Sequence, residues 1–212
     1  MCTGRVDLSH ILRAFSKGAD GVFIVGCRLN ECNYVTQGNF LALSMVHICK
    51  KLMEHIGLNP ERLMIQFMSG GDGILFAEFM NKFDKNVKEL GPFGKSEGRD
   101  KNALKAKLEA VKILVPYIKL VERERLRLHF ESEEEHSKYF NSDEFNRLFN
   151  TLIVDNLAMS EIMLLLKKKP LSTAKIAEML GLTHSEVSRH INSSSQQGLV
   201  RYDEGKKCYA LA

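Results

Sequence analysis

Apolar residues along the first ninety positions switch between two spacings. In the stretch Asp7 to Gly18, Leu8, Ile11, Leu12 and Phe15 recur three and four residues apart, the spacing of one helix face, and Lys17-Gly18 supplies a stop. Residues 21–25 (GVFIV) are instead a continuous apolar run, the pattern of a strand buried on both faces. Helical spacing returns between Asn39 and Ile56 through Leu41, Met45, Ile48, Leu52 and Ile56, and Gly57 ends it. Residues 63–68 (LMIQFM) predict a second strand, and Phe76 to Leu90 a third helix stopped by Gly91-Pro92. Strands and helices that alternate across short connections predict a parallel sheet. The first helix has no strand in front of it.

Residues 91–100 (GPFGKSEGRD) read as a linker by their glycine, proline and charge. A helix is predicted from Asp100 to Val115, ended by Pro116. Charge then alternates through residues 117–140, and the period-two run VERERLRLHF predicts a strand. The stretch Asp143 to Leu166 returns to a helical pattern. No internal repeat and no low-complexity tract is visible.

The C-terminal pattern is more specific. An apolar-faced helix, Asn156 to Lys167, ends at Pro170-Leu171-Ser172, where Ser172 can cap a second helix, Thr173 to Leu180. Gly181-Leu182-Thr183 makes a tight turn into a third helix that runs to Gln197. Gly198-Leu199-Val200 opens a strand, residues 203–206 turn, and CYALA returns. Helix, turn, helix and hairpin make a winged helix-turn-helix. The string from Leu171 to Leu211 resembles small winged-helix repressors of the ArsR type. In a DNA-binding reading Ser185, Ser188, Arg189 and Asn192 face the major groove, and Lys206 and Lys207 meet phosphates. Arg189 is the only arginine or lysine of that helix, and Asp203 and Glu204 sit beside the wing lysines. Phosphate neutralisation dominates DNA affinity, so this thin charge places a protein-docking or dimerisation role ahead of DNA binding. The expected fold class is α/β: a small parallel sheet with flanking helices, plus a C-terminal winged helix-turn-helix domain. Its expected division is residues 1–93, a charged helical connector 94–156, and residues 157–212.

Composition narrows the setting. No apolar run approaches the roughly 18–20 residues needed to cross a bilayer, and MCTGRVDLSH has no apolar signal core. A cytoplasmic protein with no membrane partner is expected. The net charge of +4 is concentrated in residues 157–212, with 8 basic and 5 acidic groups. No Ser/His/Asp order, paired-carboxylate site or nucleotide-binding P-loop is visible, and the glycine-rich turn at residues 69–73 (SGGDG) is read as a tight strand-to-helix connection.

Five cysteines without an export signal point away from a disulfide framework. Cys27 ends the first strand and Cys32 lies in the loop after it. Cys2 precedes the first helix. Functional groups of a parallel sheet gather at the carboxyl ends of its strands, so these three thiols are expected to converge there. Clustered thiolates select zinc or iron–sulfur; small buried residues are the plainer alternative. Cys49 reads as core packing, and Cys208 as a buried wing residue.

MCTGRVD, GADGVFIVGCRLNECNY with the following Gly38-Asn39, NPERL, and FAEFMNKF with KELGP together resemble the delta subunit of methyl-viologen-reducing hydrogenase, the MvhD family, over residues 1 to about 93. The resemblance implies an iron–sulfur protein with a 2Fe–2S cluster that passes electrons in anaerobic, usually methanogenic, metabolism. It implies docking between a hydrogenase or formate dehydrogenase and the flavin subunit of heterodisulfide reductase, with Cys2, Cys27 and Cys32 as metal ligands. Arg28 and Asn33 stand where the family often has histidines. The family also carries a further strand and a cysteine-rich loop ahead of the position of Cys2, and a 2Fe–2S cluster takes four protein ligands. An upstream start, a second chain supplying the missing part, or a paralogue that has lost the cluster would each explain the difference. The last is the alternative reading: a redox-responsive winged-helix DNA-binding regulator.

Overall fold

The computed structural model describes residues 2–34, 38–128, 130 and 132–212. Its backbone divides into two compact units, Met1–Phe149 and Asn150–Ala212.

In the first unit the alternation of periods becomes helix α1 (Leu8–Ser16), strand β1 (Val22–Gly26), helix α2 (Asn39–Ile56), strand β2 (Leu63–Phe67) and helix α3 (Gly73–Leu90). The two strands run parallel, in register from Val22 opposite Leu63 to Gly26 opposite Phe67. Asp7 caps α1 by accepting from Ser9 N–H, and His10 closes the box by accepting from the Asp7 N–H. Leu8, Ile11, Leu12 and Phe15 are all buried, as their spacing requires. α2 ends at Gly57, whose φ of 80° is the left-handed turn that favours glycine. β1 is less enclosed than its apolar run suggests: Ile24 and Gly26 are buried, while Val22, Phe23 and Val25 are only half-buried. α3 starts at Gly73, three residues before the expected Phe76.

The stretch 91–100 is packed, unlike a solvated linker. Phe93 is buried, and Glu97 meets Arg62 in an ion pair that is closed to solvent on both sides. Arg62, with no exposed surface, donates to Glu97 through Nε and Nη2, to the Asp20 and Gly91 carbonyls at 2.9 Å each, and to the Pro92 carbonyl at 3.2 Å. Helix α4 (Lys101–Val121) corrects two expectations. It runs straight through Pro116, and what was expected as a strand is the end of α4 followed by a π-helical turn, Glu122–Leu126. The reason is tertiary. Val111, Val115, Ile118 and Val121 keep helical spacing across the proline and are buried, and α4 packs on α1 and α2. Burial of that face outweighs one lost backbone hydrogen bond. Glu122, which drew the alternating pattern, is itself buried and held by Arg127 at 2.6 Å. Helices α5 (Glu133–Phe140) and α6 (Asp143–Phe149) complete the unit. His136 and Phe140 of α5 stack on Phe40 and His47 of α2.

The second unit begins with a π-helical turn, Asn150–Val154, and then α7 (Asp155–Lys168), α8 (Thr173–Leu180), α9 (His184–Gln196), β3 (Val200–Asp203) and β4 (Cys208–Leu211). β3 and β4 are antiparallel, and Leu171 bridges to Tyr209 beside them. Ile162, Leu166, Ile176, Val187, Ile191 and Val200 form its core. Ser172 caps α8, and Thr183 and Glu186 form a capping box at the start of α9. By length and mean hydropathy (1.4) the helical run Asp143–Lys168 has the composition of a membrane span, against the sequence expectation. Its Ile162 and Leu166 lie in the winged-helix core.

Candidate functional site

The carboxyl ends of β1 and β2 carry the thiols. β1 stops at Gly26, where an added Cβ would press within 3.1 Å of the Phe67 ring, and Cys27 follows. Cys2 sits at the start of a short 3-10 turn, Thr3–Arg5, and accepts from the Gly4 N–H at 3.4 Å. Thr3 ties that turn to the sheet by donating its hydroxyl to the Val25 carbonyl at 2.9 Å. Cys32 returns from the loop after β1 and places its sulfur 3.6 Å from that of Cys2. The predicted convergence of Cys2, Cys27 and Cys32 is thus present: Cys27 and Cys2 both act on the Cys32 sulfur.

Two residues that the periodicity does not mark shape the site. Asn39, almost wholly buried at the start of α2, donates its side-chain amide to the Cys27 carbonyl at 2.9 Å and the Arg28 carbonyl at 2.7 Å, and reaches the Cys27 sulfur at 3.7 Å. Gly38 lies against Cys32, so close that a Cβ there would stand 2.3 Å from its sulfur and 2.4 Å from the Tyr34 carbonyl oxygen. The only sign of either in the sequence is the Gly-Asn pair of the family resemblance. Arg28 turns away from the sulfurs and pairs with Asp72 at 2.6 Å, joining the loop to the start of α3.

Electrostatics differ among the thiols. Burial raises Cys32, but backbone N–H groups of Tyr34 and Asn39 and the neighbouring sulfurs outweigh it, so its thiol is held below the ordinary range. Cys27 is pushed up, first by partial desolvation and then by the Cys32 and Cys2 sulfurs. Cys49, fully buried in α2, is pushed up to about 12 by burial alone, as befits a core residue. A cleft of about 460 Å³ opens over the strand ends, lined by Thr3, Val25, Cys27, Met68, Asp72 and Phe76. Larger clefts of the first unit lie along α4 and beside β2, away from the sulfurs.

A two-iron cluster takes four protein ligands. Among the described residues, no group of three or more His, Cys, Asp or Glu side chains is disposed to hold a metal ion. The thiols present are the right chemistry for such a cluster but an incomplete set.

In the second unit, Ser185 and Asn192 are exposed on α9 and Ser188 is half-buried. Arg189 turns back on its own unit, donating to Asp155 of α7 at 2.9 Å. Lys206 leans 3.9 Å from Asp203, and Lys207 is exposed at a left-handed backbone position with φ of 50°.

A parallel β–α unit that brings cysteines to its strand ends, with a winged helix behind it, defines a thiol-bearing α/β protein fused to a regulator-type module. Residues 1–91 match the family described as methyl-viologen-reducing hydrogenase, delta subunit, and residues 158–202 match the bacterial regulatory protein, arsR family. The D iron-sulfur subunit of the vhu F420-non-reducing hydrogenase of Methanococcus maripaludis is 45% identical over 91 residues, 43% of this chain and 67% of that relative. The D iron-sulfur subunit of the F420-non-reducing hydrogenase of Archaeoglobus profundus is 42% identical over 92 residues, 43% of this chain and 66% of that relative. The A subunit of the ferredoxin/F(420)H(2)-dependent CoB-CoM heterodisulfide reductase of Methanosarcina acetivorans is 42% identical over 94 residues, 44% of this chain but only 12% of that relative. The chain belongs to the methyl-viologen-reducing hydrogenase delta subunit family through residues 1–91, and it spans just under two thirds of the Archaeoglobus protein.

Proposed function

We propose that the chain is a cytoplasmic electron-transfer subunit. In this reading Cys2, Cys27 and Cys32 supply part of the ligand set of a 2Fe–2S cluster, and a further ligand comes from outside the described residues. The observation that supports it is the approach of these three sulfurs at the carboxyl ends of β1 and β2, beside a glycine that leaves room for nothing larger. The cluster supplies one-electron chemistry. The chain's own groups position the sulfurs: Asn39 fixes the backbone at Cys27, Thr3 fixes the turn behind Cys2, and the Tyr34 and Asn39 N–H groups favour thiolate at Cys32. The names of the relatives support a place between a hydrogenase, or a formate dehydrogenase, and the flavin subunit of heterodisulfide reductase. The test is iron and acid-labile sulfide, with a visible spectrum, on protein purified anaerobically alone and with those partner proteins. Iron that disappears in Cys27→Ser supports the reading. No iron under either condition overturns it.

The arsR-family match favours a second reading, in which the winged helix binds DNA. Ser185, Ser188, Asn192 and Lys207 remain directed to a groove in that reading, and Arg189 has to leave Asp155. Salt-dependent, sequence-specific retardation of the chain's own upstream DNA tests it. Binding no tighter than to unrelated duplex rejects it.

A further inference from the structure

The same sulfurs carry a chemistry that needs no metal. Cys2 Sγ and Cys32 Sγ are 3.6 Å apart, in contact, although thirty residues separate them in sequence. Both are half-exposed, so a small reagent reaches them. Neither belongs to a strand ladder or a long helix. Cys2 flanks a single 3-10 turn, and Cys32 lies in an irregular loop with a left-handed Asn30. Cys27 is the competitor for Cys32, but Asn39 holds its carbonyl and also contacts its sulfur. Cys49 and Cys208 are buried elsewhere and take no part. The set is short of a cluster's four ligands, so metal-free protein leaves these sulfurs free to react with each other.

We propose that Cys2 and Cys32 form a reversible dithiol–disulfide pair that exchanges with low-molecular-weight disulfides. The proposal concerns the metal-free chain and does not rest on the electron-transfer reading. One thiolate of the pair attacks a disulfide RSSR. The reagent's S–S bond breaks, a mixed protein–SR disulfide forms, and RS⁻ leaves. The second thiolate attacks the protein sulfur of that mixed disulfide, the Cys2–Cys32 bond forms, and a second RS⁻ leaves. Two cysteine thiols are oxidised, one RSSR is reduced, and the two protons end on two RSH. Closure ties the Thr3–Arg5 turn to the loop after β1, so the oxidised chain presents a different edge at the strand ends than the reduced one.

The experiment uses the full chain, purified anaerobically in chelator and equilibrated with glutathione disulfide, then acid-quenched, alkylated and mapped by mass spectrometry. The expected result is loss of two of the five thiols, an intact mass lighter by two hydrogens, and a peptide joining Cys2 to Cys32 that dithiothreitol releases. Cys27→Ser retains that link, and Cys2→Ser and Cys32→Ser lack it. A Cys27–Cys32 link, a mixed disulfide that never closes, or five thiols still free would each overturn the proposal. The wild-type map decides alone, so a variant that misfolds does not leave the question open. Iron loading of the same preparation reports separately. A chain that holds iron but forms no link overturns only this proposal, and one that forms the link but holds no iron with any partner overturns only the electron-transfer reading.

Discussion

Gly38 is the residue on which the site is most exacting. Its Cβ position is already occupied by the Cys32 sulfur and the Tyr34 carbonyl oxygen, both under 2.5 Å away. Gly38→Ala is therefore expected to push Cys32 away from Cys2 and to destabilise the first unit by about 1–3 kcal/mol, the usual cost of overpacking. Denaturant unfolding measures the loss, and the rate of Cys2–Cys32 linkage under glutathione disulfide measures the displacement; unchanged values in both would show that the loop absorbs the methyl freely. Asn39→Ala is expected to act on Cys27 instead, by leaving two buried carbonyls without their donor, at about 1–3 kcal/mol. The three cysteines were legible in the sequence because strand ends are where a parallel sheet exposes side chains. Gly38 and Asn39 were not, because their roles arise from a contact across the loop that no local period encodes. The buried Arg62–Glu97 pair was hidden for the same reason: Glu97 stands in a stretch whose glycine and charge read as solvated.

Individual helices and strands were legible where one period ruled and where caps punctuated it. Asn39–Ile56 and Thr173–Leu180 fall where spacing and caps put them. The run after Pro116 was misread because local signals there oppose the tertiary one. A proline argues for a break and an alternating charge pattern for a strand, while the buried face of α4 continues through both. The capping box of α9 is a clear local device, with Glu186 accepting from Thr183 N–H at 2.8 Å and the Thr183 hydroxyl accepting from Glu186 N–H at 3.2 Å. Thr183→Ala is expected to destabilise the second unit by about 1 kcal/mol, visible as an earlier thermal transition. A substitution to Ser should recover most of the loss; failure of Ser to rescue would mean that the threonine methyl, and not the cap, carries the effect.

At the scale of the molecule, acid should dismantle the first unit in two stages. His47 stacks on Phe140 and its Nε2 is buried without a hydrogen-bond partner. Burial, then His136, Lys50 and Lys51, lower it from 6.5 to about 4. A base whose folded pKa is lowered costs nothing above pH 6.5, and it costs progressively more as pH falls from 6.5 to about 4, reaching roughly 2 kcal/mol near pH 5. His47→Phe is expected to remove that slope. Glu97 follows. Burial alone would raise it, but Arg62 and the Asn59 N–H bring it from 4.5 down to about 2. Its stabilisation is complete above pH 4.5 and is lost as pH falls toward 2, about 3 kcal/mol in all. Asp7, where burial is outweighed by Lys119 and Ser9, is also brought to about 2 and adds to the second stage. Urea midpoints across pH 3–7 for wild type, His47→Phe and Glu97→Gln check this. A midpoint for His47→Phe that tracks wild type between pH 4 and 6.5 would remove His47 from the account. Arg62 has one more consequence. Its guanidinium gathers the carbonyls at the start of β1 and the end of α3 onto the first turn before β2, so both strands are fastened at their amino ends. At their carboxyl ends the sulfurs hang on a 3-10 turn and a loop. Amide hydrogen exchange along β1 and the residues after it should therefore run as a gradient, slowest beside Asp20 and fastest past Cys27. That gradient leaves the sulfur-bearing edge able to change partners while the sheet behind it stays whole.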